Sequence, residues 1–236
     1  MRSYFWIDGV RSDELGIQLQ SPVTFGATKK RYTSISVSGR SGNLHISDGA
    51  YENVTARASC FALRRNVSEV MDAINQYIVR NDGYRRLEVS EEPDVYRDAY
   101  VISTTGLEIR MRNVAPFEIE FDCAPQKWLK TGQSTITISQ SQSKLQNPGM
   151  PAKPFMRVYG GSSGGSLSIE GITIQIESID EYVDIDCDTM NAYKGISNKN
   201  STISAAEFPV LKTGINSIGF SGSITKIEMK PRWWLI

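Results

Sequence analysis

The sequence predicts a mainly β protein in two β-rich halves. Three observations carry that expectation. Apolar and polar residues alternate over many short runs, the two-residue period of strands with one dry face and one wet face. Turn signals such as Asp8-Gly9, Asp48-Gly49 and Glu170-Gly171 separate those runs at close intervals, as in a sandwich or jelly roll. Only one segment has a helical period.

A chain of 236 residues can bury one large core or two small ones. Lysine plus arginine equals aspartate plus glutamate at 26 each. No basic field favours tight sequence-independent binding to nucleic acid, although a neutral channel through which nucleic acid merely passes remains open. No apolar run approaches the roughly 20 residues of a membrane helix. The start, Met-Arg-Ser-Tyr-Phe-Trp-Ile-Asp, lacks the apolar core of about 7–15 residues that a secretory signal needs, so folding in a cytoplasm is expected. Cys60, Cys123 and Cys187 are odd in number, widely spaced and set in alternating runs, which reads as buried free thiols.

In chain order, Tyr4 to Ile7 forms a short aromatic strand ending at Asp8-Gly9. Ser12-Asp13-Glu14 turns into a second strand carrying Leu15, Ile17 and Leu19, and Pro22 to Lys30 reads as a loop. The stretch from Val37 to Asn53 organises the first half. Thr33, Ile35 and Val37 alternate before it, Gly39 to Gly42 bends the chain, and Leu44 and Ile46 alternate with Asn43 and His45 as a half-buried strand. Val54, Ala56, Ala58, Cys60 and Ala62 share one face of the next strand. Val70, Ile74, Tyr77 and Ile78 then fall on one side of a helix over about residues 68–81, with Ser68 as N-cap, Glu69 in the first turn and Asn81-Asp82-Gly83 as the stop. Strands follow at Leu87 and Val89, at Val95 with Ala99 to Ile102, at Leu107, Ile109 and Met111, and at Phe117, Ile119, Phe121 and Cys123.

The pattern breaks at Ala124-Pro125, and a boundary near residue 130 divides the chain into 1–130 and 131–236. The second half is a series of short strands: Ile136 with Ile138, Phe155 to Tyr159, Leu167 with Ile169, and Ile172, Ile174 and Ile176 beyond the Glu170-Gly171 turn. Gly160 to Ser166 reads as a long hairpin loop. Val183, Ile185 and Cys187 form another strand, Tyr193 to Ala205 reads as a polar loop, and two strands flank Ser221-Gly222.

Asp184, Asp186 and Asp188 share a strand face. Like charges there need solvation or a cation. A calcium loop begun at Asp184 would have Thr189 where glycine is required and Gly195 where glutamate is required, so a solvated face is expected and no metal site. His45 is the single histidine and stands beside a turn with no nucleophile motif in the chain, which reads as a surface or interface residue. No phosphate loop or dinucleotide fingerprint is present, and no carboxylate pair stands out for glycoside hydrolysis. Catalytic residues, cofactors and metals are therefore all expected to be absent. Trp233 and Trp234 face opposite ways if they lie in a strand, one of them in the core. Exposed aromatics on a sandwich can stack on sugars, so a carbohydrate-binding module recognising cell-wall saccharide is the alternative function.

Four ordered stretches carry a resemblance. They are Tyr4-Phe-Trp-Ile-Asp-Gly9 with Leu15-Gly16-Ile17; Val37-Ser-Gly-Arg-Ser-Gly-Asn-Leu44 with Asp48-Gly-Ala-Tyr-Glu-Asn53; Asn147-Pro148-Gly149 before Pro154-Phe-Met-Arg-Val-Tyr-Gly160; and Phe208-Pro-Val-Leu-Lys-Thr-Gly-Ile-Asn216 with Pro231-Arg-Trp-Trp234. On these the chain resembles the distal tail proteins (Dit) of long non-contractile-tailed phages of Gram-positive bacteria. Ser38 and Ser41 depart from the family's usual Val-Pro-Gly-Arg-Asp-Gly, a difference that bears on the turn conformation and not on the hairpin.

The resemblance implies a structural protein of the virion tail tip and no enzyme. It implies an N-terminal ring-forming domain with one helix, closing as a homo-hexamer around a channel through which DNA passes without specific binding. It also implies a C-terminal galectin-like or carbohydrate-binding-module-like β-sandwich. The implied partners are the tail tube protein, a tail-associated lysin or fibre protein, and receptor-binding or baseplate proteins. Arg40, Asp48, Gly49 and Tyr51 are expected near contacts between protomers.

Overall fold

Asp8 and Gly9 both adopt positive φ, 49° and 83°, and fold β1 (Phe5–Ile7) back onto β2 (Val10–Arg11). That is the two-residue hairpin the Asp-Gly pair signals. The computed structural model describes residues 3–63, 66–79, 83–105 and 114–236. It divides into two compact units, residues 1–127 with Ile236 and residues 128–235.

In the first unit the chain continues through β3 (Gln18–Leu19), β4 (Thr24–Phe25), β5 (Lys30–Ser36), β6 (Asn43–Tyr51) and β7 (Val54–Leu63). After the helix come β8 (Arg85–Val89), β9 (Val95–Thr104) and β10 (Val114–Cys123). One antiparallel sheet has the order β2-β1-β8-β9-β10-β7-β3, with β4 also paired to β7. β10 and β7 pair over ten residues, and the register sets small residues beside large ones: Cys60 by Phe117, Ala58 by Ile119, Ala56 by Phe121. All six are buried on one face. β5 and β6 stay outside this sheet as a ribbon of their own.

The helix packs Val70, Ile74 and Ile78 into the core. It is α-helical over Val67–Ala73 and π-helical over Ile74–Val79. The wider π turn rotates Tyr77 off the apolar side, so Tyr77 is exposed against expectation. The N-cap position is Asn66, without a side-chain bond, while Glu69 does fall in the first turn. Asn81, Asp82 and the strand expected at Leu107 to Met111 lie outside the described residues.

Two other expectations fail in this unit. Leu15 and Ile17 are not in a strand: the chain turns through Ser12, whose carbonyl accepts from the N–H of Leu15 at 3.2 Å and of Ile17 at 2.9 Å, and Gly16 takes φ 76°. Ile17 is buried in the core all the same, and such burial alone produces an alternating pattern. The Pro22 to Lys30 loop contains β4, whose Phe25 ring lies 3.8 Å below the buried Arg97 guanidinium.

The second unit comprises β11 (Lys127–Leu129), of which Lys127 falls in the first unit, β12 (Ile136–Ile138), β13 (Ser143–Asn147), β14 (Phe155–Ile169), β15 (Ile172–Ile176), β16 (Glu181–Asp186), β17 (Asn191–Lys194), β18 (Ser197–Asn198), β19 (Ile203–Ala205), β20 (Gly214–Lys230) and β21 (Trp234–Leu235). Its main sheet runs β12-β20-β14-β16-β17-β18; β13 also pairs with β20, and β15 with β14 and β19. Glu170 and Gly171 take φ 50° and 84° and close the β14–β15 hairpin as expected.

The segment expected as a hairpin loop, Gly160 to Ser166, instead lies inside the 15-residue strand β14. β14 pairs with β20 on both sides of a bulge between Gly160 and Gly165. A Cβ at Gly164 would stand 2.1 Å from the Ile176 carbonyl oxygen, and one at Gly165 would stand 2.3 Å from that of Ser221. The glycines permit close backbone approach, not a flexible link. The Ser221-Gly222 signal is likewise a bend within the 17-residue strand β20, with Gly222 at φ 74°. The polar stretch from Tyr193 to Ala205 holds β18 and β19.

The aspartate face is not solvated. Asp184 and Asp186 are buried. Arg157 donates from Nε and Nη2 to Asp184 at 2.7 and 2.9 Å, and Arg232 donates from Nη1 and Nη2 to Asp186 at 2.7 and 3.0 Å. Bidentate pairing supplies what water would otherwise supply. Only Asp188 is exposed, where it pairs with Lys153 at 3.2 Å.

Candidate functional site

The hairpin from Lys30 to Tyr51 is the feature without an explanation inside the chain. Its root is fixed. The Gly26 N–H donates to the Thr55 carbonyl at 2.9 Å and the Glu52 N–H to the Lys29 carbonyl at 2.8 Å. Asn53 Nδ2 donates to Tyr84 Oη and to Asp122 Oδ2, both at 2.7 Å. Beyond the root every residue of β5 is exposed, as is β6 from Asn43 to Gly49. The half-buried strand expected here is thus exposed along most of its length, because no other described element of the unit pairs with it.

The register shows which side is apolar. Thr33 stands opposite Ile46, Ile35 opposite Leu44, and Ser34 opposite His45. Side chains alternate across a ribbon, so Thr33, Ile35, Leu44 and Ile46 occupy one face. Tyr32, Ser34, Ser36, Asn43, His45 and Ser47 occupy the other, where the Tyr32 and His45 rings meet edge to face at 4.9 Å. Ile35, Leu44 and Ile46 remain 41%, 38% and 51% exposed. A two-stranded ribbon is marginal alone in water, and finishing the burial of such a side chain is worth about 1 kcal/mol.

Of the residues expected near protomer contacts, Asp48, Gly49 and Tyr51 come together at the root and Arg40 sits at the tip, roughly 15–20 Å away along the strand. The Asp48-Gly49 signal is a bulge and not a turn. Arg31 faces three residues, Asp48, Gly49 and Ala50, between the pairs Lys30–Tyr51 and Tyr32–Ser47. Gly49 takes φ 83°, Arg31 Nε donates to Asp48 Oδ2 at 2.7 Å, and the Ala50 N–H donates to Asp48 Oδ1 at 2.9 Å. The Arg31 bond, then the Ala50 bond, hold the Asp48 carboxyl below the usual carboxylate range. Arg40 is exposed in a turn closed by its own N–H on the Val37 carbonyl at 3.2 Å. The apolar stripe itself was missed as a site. Its one sequence signal was the lack of any charge over residues 32–39 and 41–47.

The two motif stretches at 147–160 and 208–234 converge in the second unit. Asn147 Nδ2 donates to the carbonyls of Met150 at 2.9 Å and Leu211 at 3.0 Å, and its Oδ1 accepts from the Gly149 N–H at 2.9 Å. Asn216 ties the 212–214 loop through Lys212 and Gly214. Thr213 Oγ1 donates to the Gly149 carbonyl at 2.8 Å, while the Met150 N–H donates to the Trp234 carbonyl at 2.8 Å. These residues staple loops and the last strand in place.

Trp233 and Trp234 are both half-buried, so neither is the core residue one of them was expected to be, and no aromatic of this unit stands among the exposed large apolar residues described. Lys226 lies 4.1 Å from the Tyr159 ring, Arg157 4.3 Å from Tyr182 and Arg232 5.9 Å from Phe155. A stacking sugar would have to compete with these cations at Tyr159, Tyr182 and Phe155. Among the described residues no group of three His, Cys, Asp or Glu gathers as a metal site, and no helix is long and apolar enough to cross a membrane. Burial pushes all three cysteine thiols up to about 12.

No protein-family model and no curated protein matches the chain. Solved structures do. The SPP1 Dit (gp 19.1) protein, described as a paradigm of hub adsorption apparatus in Gram-positive-infecting phages, is similar at 11% identity and TM-score 0.77, over 98% of this chain and 99% of that one. The phage P2 baseplate in its activated conformation with Ca is similar at 10% identity and TM-score 0.51, over 98% of each chain. The mainly β fold with one helix, expected from the resemblance to distal tail proteins, is the fold found.

Proposed function

We propose that this chain is a structural distal tail protein of a phage or prophage. In this reading six copies close through the first unit into a ring, leaving a channel for DNA. The ring joins the tail tube protein to a tail-associated lysin or fibre protein, and the second unit holds receptor-binding or baseplate proteins. The carrying observation is the amphipathic ribbon, whose dry face is bare in the single chain while the fold follows a phage hub protein from end to end. A ring built from one chain needs two different surfaces that fit each other head to tail, and a projecting ribbon is such a surface. The even charge balance suits a channel wall that lets a polyanion pass without gripping it.

Light scattering and electron microscopy of the purified protein test this. A six-copy ring is expected, formed by the chain alone or on addition of its tail partners. A monomer under both conditions overturns the proposal.

A further inference from the structure

We propose, resting on the reading that the second unit holds other tail proteins, that the outer face of its main sheet across β20, β14, β16 and β17 is the docking surface, and that the partner brings a carboxylate-rich protein surface to it.

The register lays three rows across these strands. Lys226, Tyr159 and Tyr182 form the first. Glu228, Arg157, Asp184 and Tyr193 form the second, and Lys230, Phe155 and Asp186 the third. The residues that alternate with them, such as Met156, Val158, Ile185 and Ile227, point into the core. The rows therefore make up the opposite, outward face.

Each ion pair on this face sinks its acid and lifts its base. The Arg157 side chain is 37% exposed against 4% for Asp184. Arg232 and Lys226 are likewise more exposed than Asp186 and Glu228. The acids have also used their oxygens. Asp184 accepts from Arg157 on both, and Asp186 from Arg232 on both. Glu228 accepts from Lys226 at 2.7 Å on Oε1 and from Tyr159 Oη at 2.9 Å on Oε2. The bases keep donors in hand: a guanidinium carries five N–H groups, and Arg157 gives Asp184 only those on Nε and Nη2. Lys230 is exposed and stands opposite Phe155, not an acid. What the face presents is positive charge and N–H donors, and the complementary surface is acidic.

The rings decide which kind of acid fits. Lys226 lies over Tyr159, Arg157 and Lys194 over Tyr182, and Arg232 over Phe155, at 4.1–5.9 Å. Rings already held by cations favour no stacked sugar or base. There remains a fixed array of arginine and tyrosine over four strands, roughly 15 Å wide, and these residue types anchor protein–protein interfaces. The arginine fork matches a carboxylate. Rings and sunken acids hold the bases in place before binding, which lowers the cost of ordering them. Exposed acids bound the patch: Asp180 and Glu181 bind Lys194 beyond Tyr182, and Asp188 binds Lys153 beyond Asp186.

Poly-L-glutamate titrated into the full-length protein tests this. It should bind, and the binding should weaken as salt rises from about 0.05 to 0.5 M. Lys226→Gln with Lys230→Gln should weaken it by about tenfold. Lys144→Gln with Lys212→Gln, at exposed lysines off this face, should leave it unchanged. Both double variants should unfold at the temperature of the unaltered chain, and Lys230→Glu repeats the test at one exposed position if the first does not fold. No binding, or equal loss in both double variants, overturns the proposal. Tighter binding of polyphosphate of the same length also overturns it, because the face would then be a site for phosphate polymers.

Ring assembly separates this proposal from the reading beneath it. A ring that forms and ignores poly-L-glutamate removes the docking face and leaves the hub. A chain that never assembles, alone or with its tail partners, removes the hub on which the docking face rests.

Discussion

Ile35 and Leu44 stand opposite each other on the ribbon's apolar face, and both stay about two-fifths exposed in the single chain. Neither supports the core of the first unit. Replacing Leu44 or Ile46 by glutamate should therefore leave the free chain's stability within about 0.5 kcal/mol and remove ring assembly. Thermal unfolding and light scattering on the same sample check the two halves of this expectation.

The bulge glycines make an opposite prediction. Gly164 has φ 65° and no room for a Cβ, so Gly164→Ala should cost about 2–4 kcal/mol. Gly161, a neighbour in the same run, meets nothing closer than the Ser223 Cβ at 3.5 Å, and Gly161→Ala should be nearly neutral. Denaturant midpoints compare them directly, and equal losses would mean the segment is a loose loop.

The Arg232–Asp186 pair carries a pH dependence. The Arg232 guanidinium, the main cause, holds the Asp186 carboxyl below the usual carboxylate range. A carboxyl with a depressed folded pKa stabilises the fold above its unfolded value near ~3.9, and that stabilisation is lost as pH falls through the folded value. Unfolding free energy should thus drop below about pH 4. Arg232→Met should cost about 2 kcal/mol at pH 7, less than for a fully buried pair because the Arg232 side chain is 27% exposed. The variant's loss should shrink at low pH, where the carboxyl is protonated in both proteins.

Cys60, Cys123 and Cys187 are buried and protonated across the physiological range. A thiol reagent at pH 8 should label none of them in the folded chain and all three after denaturation. Rapid labelling of the native protein would show that a core opens locally.

The sequence was most legible where a strand has one dry face and one wet face. The alternation of Val54 to Ala62 and of Phe117 to Cys123 gave their buried faces correctly. It was least legible where a signal has two structural meanings. Asp8-Gly9 and Glu170-Gly171 are turns, but Asp48-Gly49 and the 160–165 glycines are bulges, because the positive φ that Gly49 and Gly164 supply serves a bulge as well as a turn. The aspartates of β16 looked solvated because their arginines come from Arg157 and Arg232, 27 and 46 residues away from the carboxylates they bind.

By itself the sequence determined the β-rich class, the single helix, the buried thiols and the ordered motif set, since these depend on local period and on residues close in the chain. Only the tertiary structure decided that the alternating residues of Thr33 to Ile46 stay outside the core among the described residues of the first unit. Period says that a face is apolar. What lies against that face depends on where every other element goes, and here no other described element of the first unit pairs with the ribbon.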